Sequence, residues 1–232
     1  MPNCENNEHL FINKIFEKIG FKSKIFIEIG AWPNENNCFD LALNKSFDGL
    51  YIDPGFVDHL NIYDKTKITF ENCFVNSSNI NDIISKHFNG EIDLLSIDVD
   101  GVDLYLLDSI KCISPRIICI EYNASLGKYD SLTVKYRDDF DRAKSPNMHY
   151  CNASLKATVN LAKRLGYKYV GNVYGLNAFF VKEEEPIAEC SIESTWQPHQ
   201  SRIIFKSEEA QYNEIISLDW IEVSDEGFII KK

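Results

Sequence analysis

The chain has 232 residues, 44% of them hydrophobic, and a formal net charge of -11 at pH 7. That length supports one full-sized domain with an appendage but crowds two independent ones, and the apolar content argues against disorder. The acidity argues against a general nucleic-acid binder, because nothing would offset repulsion from phosphates.

Seven cysteines (Cys4, Cys38, Cys73, Cys112, Cys119, Cys151 and Cys190) are scattered and never spaced C-x-x-C. This fits a reducing compartment better than a disulfide framework or a zinc site. The start, MPNCENNEHLF, lacks a basic segment followed by an apolar core, and no apolar run approaches the ~18 residues needed to cross a bilayer. The expectation is a soluble cytoplasmic protein with neither membrane nor nucleic acid as partner.

Leu10, Phe11, Ile15, Phe16 and Ile19 recur at helical spacing, and Gly20 closes a predicted helix over 5–20. KIFIEIGAWPNENN follows, a strand from Lys24 to Ile29 ending in Glu28, Gly30 and Ala31. A helix over 36–45 leads to GLYIDPG, a second strand ending at Asp53 with Pro54 as breaker. ITFENCFV (68–75) reads as a strand and 78–88 as a helix with Ser77 or Ser78 as N-cap. IDLLSID is the fourth strand, 102–110 a helix, and PRIICIEYN (115–123) the fifth strand. The alternation then lapses over 124–151, a length that marks a functional or flexible connection. It returns with a helix over 153–165, closed by Gly166, and two strands, YKYVGNVYG and LNAFFVKE, as a hairpin about Gly175. Strands alternating with helices and ending in a hairpin predict an α/β fold: a Rossmann-like, doubly wound, seven-stranded, mostly parallel sheet with one antiparallel edge strand. This domain would span 1–184, with 124–151 inserted on the acceptor side. Beyond the charged EEEP break, 185–232 reads as an extension packed on the domain or used in homodimerisation. It carries two β-like runs, SRIIFK and GFIIKK, around a helix over 207–216.

In open α/β sheets the ligand sits beyond the carboxyl ends of the strands, where this chain places carboxylates. Glu28-x-Gly30 ends the first strand, Asp53 the second, and Asp98, Asp100 and Asp103 surround Gly101 after the fourth. Glycine allows backbone to approach a ligand closely, and a carboxylate after the second strand suits ribose hydroxyls. GAWPNE supplies a single glycine and there is no Walker lysine, so a pyrophosphate cradle is poorly supported. A nucleoside cofactor without phosphates, S-adenosyl-L-methionine, fits that loop better.

FIEIGAWPNENN, YIDPG, LLSIDVDGVD, PRIICIEYNAS, ASLKATVNLAKRLGYKYVG and LNAFFV, in this order over 24–183, resemble the FkbM-like branch of class I S-adenosylmethionine-dependent methyltransferases. The pair ID-x-DG-x-D and IEYNAS is the most specific part. The resemblance implies cofactor contacts from Glu28, Gly30, Ala31 and, on the second strand, Asp53. Trp32 stands where small residues are common and is either a cofactor wall or core. O-methylation needs an oxygen nucleophile in line with the methyl and a route for its proton. An extended strand would point Asp98 and Asp100 to one side. Asp98, Glu121 and Asn123 could converge as oxygen ligands for Mg²⁺; alternatively a carboxylate, or His149 from the insertion, acts directly as base. Asp98 is expected at the transfer centre and beside the cofactor, Asp100 as its neighbour, and Asp103 as a first-turn helix acid.

The resemblance further implies a small polar hydroxyl acceptor, an activated sugar or other surface-polysaccharide (capsule) precursor. If that acceptor is nucleotide-linked, the cations it needs would be Lys128, Lys135, Arg137, Arg142 and Lys144. One rival reading takes DVDG as a haloacid-dehalogenase-type phosphoryl-transfer motif with Asp98 as nucleophile, although no G-D pair follows it. Another is a non-catalytic cofactor-binding module.

Overall fold

A computed structural model describes residues 6–32, 36–55, 64 and 67–230. Helix α1 (Glu8–Ile19) buries Ile12, Ile15 and Phe16, one apolar stripe, and stops at Gly20, whose φ of 64° lies in the left-handed region. Strand β1 (Ile25–Ile29) leads through α2 (Phe39–Asn44) to β2 (Asp48–Ile52) and β3 (Ile68–Glu71). After α3 (Ile80–Ser85), the chain returns as β4 (Gly90–Ile97), α4 (Asp103–Ser109) and β5 (Ile113–Glu121). The two-residue β6 (Leu132–Thr133) lies in the insertion, followed by α5 (Leu155–Arg164) and the hairpin β7 (Tyr167–Val173) and β8 (Asn177–Lys182).

The central sheet has seven strands in the order β3-β2-β1-β4-β5-β8-β7. Strands β1 to β5 are mutually parallel, while β8 runs antiparallel to both of its neighbours. The antiparallel strand is therefore interior, between β5 and β7, and not at the edge as the sequence suggested. Helix α5 carries the chain past that gap to β7, and the tight turn at Gly175 returns β8 into it.

Both faces of the sheet are covered, which is why its strands read as unbroken apolar runs. Ile27, Ile29, Leu95, Ile97, Ile118 and Ile120 pack with α3, α4 and α5. Phe26, Tyr51, Leu94, Ile117 and Phe179 pack with α1 and α2. The first strands build outward on one side of β1 and the later ones on the other, so the order reverses between β1 and β4. That reversal opens the crevice in which such sheets hold ligands.

Several element boundaries differ from the sequence reading. Strand β3 ends at Glu71, so 72–75 are not extended pairing residues; the N-cap of α3 is Asn79 and not Ser77 or Ser78, and the turn before it is held by Asn76, whose Oδ1 accepts the backbone N–H of Ser78 and Asn79. SRIIFK is not a strand: its first residues lie in α7 (Gln200–Ile203), which follows the short α6 (Ile192–Thr195). In GFIIKK only a single bridge, Val223 to Ile229, forms, and 231–232 lie outside the described residues. Helix α8 (Glu208–Ile215) is where the sequence places it.

The extension packs on the domain through the insertion. Strand β9 (Ile221–Glu222) pairs antiparallel with β6, and Trp220 lies 4.7 Å from Tyr150, centroid to centroid. Among the described residues no helix is long and apolar enough to cross a membrane.

At the opposite end of the sheet from the crevice, Arg116 of β5 is only 1% exposed. It donates to Glu185 at 2.7 Å, to Asp93 at 2.9 Å, and to the carbonyls of Gly20 and Ile19 at 2.8 and 3.0 Å. Asp93 also accepts the backbone N–H of Lys22 and Lys24. One guanidinium thus fastens the end of α1 to the sheet and joins the main domain to the start of the extension. A lysine cannot reproduce this fork. Arg116→Lys is expected to lower unfolding free energy by about 2 kcal/mol, measured by urea denaturation.

Candidate active site

Glu28, Asp53, Asp98 and Glu121 stand at or just after the carboxyl ends of β1, β2, β4 and β5. On β1, Glu28 is 2% exposed and its two oxygens accept the backbone N–H of Asn37 at 2.6 Å and Cys38 at 2.9 Å. It fixes the start of α2 against the sheet, and burial pushes its carboxyl up to about 7. Gly30 has φ 84°, and a Cβ placed on it would lie 1.5 Å from the carbonyl oxygen of Asp98. Glycine is required here because the ends of β1 and β4 touch, backbone to backbone. Ala31 is fully buried, so it is core and carries no side chain into the crevice.

Trp32 is 58% exposed, and its ring lies beside the turn 53–55, 3.3 Å from where a Gly55 Cβ would stand. Within that turn Asp53 Oδ1 accepts the N–H of Gly55 at 2.6 Å, and partial burial raises the carboxyl above its ordinary value. A broad aromatic surface and a carboxylate therefore share one side of the crevice. Residues 33–35 and 56–63, which flank this corner, lie outside the described residues.

The pairs Ser96–Cys119 and Ile97–Ile120 between β4 and β5 carry on to set Asp98 beside Glu121. Their oxygens lie within 4.8 Å of each other, so the charge of Glu121 favours a proton on Asp98. Burial, followed by the charges of Glu121, Asp103 and Asp100, raises Asp98 well above a normal carboxyl. Burial, then Asp100 and Asp103, pushes Glu121 up to about 8, against an amide hydrogen bond from Asn152 and the nearby charge of Arg202. Asp103 opens α4 and accepts the N–H of Val99 and of Gly101, both at 2.9 Å, which fixes the turn after β4; burial pushes it up to about 6. Carboxylate oxygens of Asp98, Asp103 and Glu121 all lie within 4.8 Å of one another.

Two sequence expectations change here. Asp100 does not share the direction of Asp98: the strand ends at Ile97, and Asp100 takes a left-handed φ of 59°. It is exposed and forms an ion pair with Arg142 of the insertion, while Phe140 packs over Gly101. Asn123 does not complete a metal set either. Its amide donates to the carbonyls of His149 and Cys151, and its Oδ1 accepts from Ser125 N–H and from Arg202 Nη1, each at 3.1 Å. A guanidinium on that oxygen repels a cation, so Asp98, Glu121 and Asn123 do not fit Mg²⁺.

His149 is brought to the end of β5 by that Asn123 hydrogen bond. Burial and then the charge of Arg202 hold its imidazole below the ordinary histidine value, so it is neutral at pH 7 with a lone pair free to accept a proton. The five cations of the insertion are engaged locally. Lys128 lies over Tyr129 and Arg137 over Phe140; Lys135 pairs with Asp219, Arg142 with Asp100, and Lys144 with Asp141.

Asn152, His199 and Arg202 were not legible as site residues. Asn152 lies at the end of an irregular segment, and the other two lie in an extension whose β-like pattern points elsewhere. A scan against protein-family models and a search of curated proteins each find no match.

Proposed function

We propose that this protein is an S-adenosyl-L-methionine-dependent O-methyltransferase, FkbM-like in its motifs. Its acceptor would be a small polar hydroxyl compound, an activated sugar or other surface-polysaccharide precursor. The observation that carries this reading is the carboxyl pair Asp98–Glu121 at the ends of β4 and β5, next to the switch point, with Trp32 after β1 and Asp53 after β2. The reading is further supported by the seven-stranded, mostly parallel sheet.

The residues present fit the cofactor by their chemistry. Carboxyls with raised proton affinity at the crevice are an unsatisfied demand for positive charge, and a ligand bearing an ammonium and a sulfonium would answer it. The Asp53 carboxylate would supply an acceptor for ribose hydroxyls, and Trp32 a flat apolar surface beside it. When bound, the cofactor supplies a methyl group on an electrophilic sulfonium.

The chain's residues then divide the work. Glu28 and Gly30 keep the first loop against the end of β4. Asp98 and Glu121, whose proton affinity is raised, would hold the positive charge of the cofactor. His149, neutral and on the acceptor side, takes the proton of the attacking hydroxyl. The phosphoryl-transfer reading has less support, because the proton affinity of Asp98 is raised, which disfavours the nucleophilic carboxylate, and its would-be partner Asp100 is tied to Arg142.

Asp53→Ala is expected to weaken cofactor binding about tenfold or more, read by isothermal titration calorimetry. Unchanged affinity would remove the ribose assignment.

A further inference from the structure

Three cations of the acceptor side act on His149: Arg202, Lys206 and Arg142. Two of them are answered by carboxylates, Arg142 by Asp100 and Lys206 by Glu214. Arg202 is not. Its hydrogen bonds run to neutral acceptors, Asn123 Oδ1 at 3.1 Å and Ser125 Oγ at 3.2 Å, and among the described residues it forms no ion pair. Its charge reaches Glu121 without forming an ion pair with it, so the guanidinium has no carboxylate partner among the described residues.

Next to Arg202 stands His199, 8% exposed, whose Nδ1 is buried and has no hydrogen-bond partner. A buried ring nitrogen without a partner costs free energy unless a ligand supplies one. Burial and then the charge of Arg202 push this imidazole down to about 4, so it is neutral in the absence of a negative ligand. A half-buried guanidinium without a carboxylate, beside an orphaned imidazole nitrogen, is the donor set of an oxyanion site.

We propose that Arg202 and His199 form the seat for an oxyanion of the acceptor, a phosphate or a carboxylate, so that the C-terminal extension supplies half of the acceptor site. Only the identification of the anion's carrier as a methyl acceptor rests on the methyltransferase reading. The oxyanion bridges Arg202 and Nδ1 of His199, and that contact presents a neighbouring hydroxyl to His149. It also explains why the insertion's own cations are all engaged elsewhere: they hold the wall, and the extension holds the ligand.

The test uses the full-length protein, titrated at pH 7 with inorganic phosphate and, separately, with acetate. Binding is followed by calorimetry and by the imidazole NMR signals. The expected result is saturable binding that moves the His199 signal toward its protonated position. The stronger response identifies phosphate or carboxylate as the preferred group. Arg202→Met should weaken that binding tenfold or more and Arg202→Lys should recover part of it. If Arg202→Met does not fold, the lysine variant and the wild-type histidine signals carry the decision. An unmoved His199 signal, or equal anion affinity in wild type and variants, overturns the proposal. Anion binding that persists in a protein with no cofactor affinity would instead leave the oxyanion seat standing and remove the methyltransferase reading.

Discussion

Gly30→Ala is expected to lower the unfolding free energy by about 3–5 kcal/mol and to abolish cofactor binding in whatever fraction stays folded. The reason is geometric. The added methyl would stand 1.5 Å from the carbonyl oxygen of Asp98, and backbone cannot rotate aside as a side-chain tip can. The left-handed φ of 84° adds strain for any residue with a Cβ. Relief requires the ends of β1 and β4 to separate, which moves Asp98 away from Glu121 and breaks the Asp98 N–H to Ile29 carbonyl hydrogen bond of 2.8 Å. Calorimetric or denaturant unfolding, with cofactor titration on the same sample, checks both consequences. Near-wild-type stability would show that the β1–β4 contact is not as tight as described.

The second large effect is a loss of stability with rising pH in the ligand-free protein. Glu28, Asp103 and Glu121 are pushed up to about 7, 6 and 8, and Asp98 lies well above its ordinary value. Folded-state affinities for protons thus exceed those of the unfolded chain, so the folded state binds more protons wherever the two differ. The stability contributed by these groups is fully present below about pH 4 and is lost as pH rises through about 6 to 8. A tenfold difference in proton affinity between the folded and unfolded states corresponds to about 1.4 kcal/mol, and allowing for local relaxation a total on the order of 5 kcal/mol is expected between pH 5 and pH 9. Glu121→Gln should flatten the upper part of the curve. A positively charged ligand in the crevice should flatten it too, because it favours the ionised forms of Asp98 and Glu121. Thermal unfolding across this range, with and without S-adenosylmethionine, measures the slope. A rise in stability from pH 5 to 9 would contradict the assignment of these carboxyls.

How much of this could be read from the residues alone follows from what each pattern encodes. The central strands were legible because a sheet covered on both faces demands continuous apolar runs, and IFIEI, LLSI and IICIE have no other use. The placement of β8 was not, since a hairpin motif says that two strands adjoin without saying which of them meets β5. Glu28, Gly30 and Asp98 were legible as a group because strand ends in such a sheet face the crevice. Their division of labour was not: Glu28 is used on the N–H groups of Asn37 and Cys38, and Asp103 on those of Val99 and Gly101. Asp100 was misdirected by extrapolating the strand two residues beyond its end. Asn123 looked like an oxygen ligand because its type is common in metal sites, and only its four hydrogen bonds reveal that it organises the loop ends around it. Arg202 carries no local signal at all. It acquires its place from the folding of 185–230 back onto the end of β5, a long-range event that neither periodicity nor motif encodes.

What the crevice between β1 and β4 holds is the central question, and direct titration of the full-length protein with S-adenosylmethionine at pH 7.5 addresses it most plainly. One binding site of micromolar affinity is expected, with a proton released to the buffer on binding, and a loss of affinity in Asp53→Ala. Absence of cofactor binding in a folded sample, accompanied by hydrolysis of generic phosphate esters that depends on Asp98, would contradict the methyltransferase proposal.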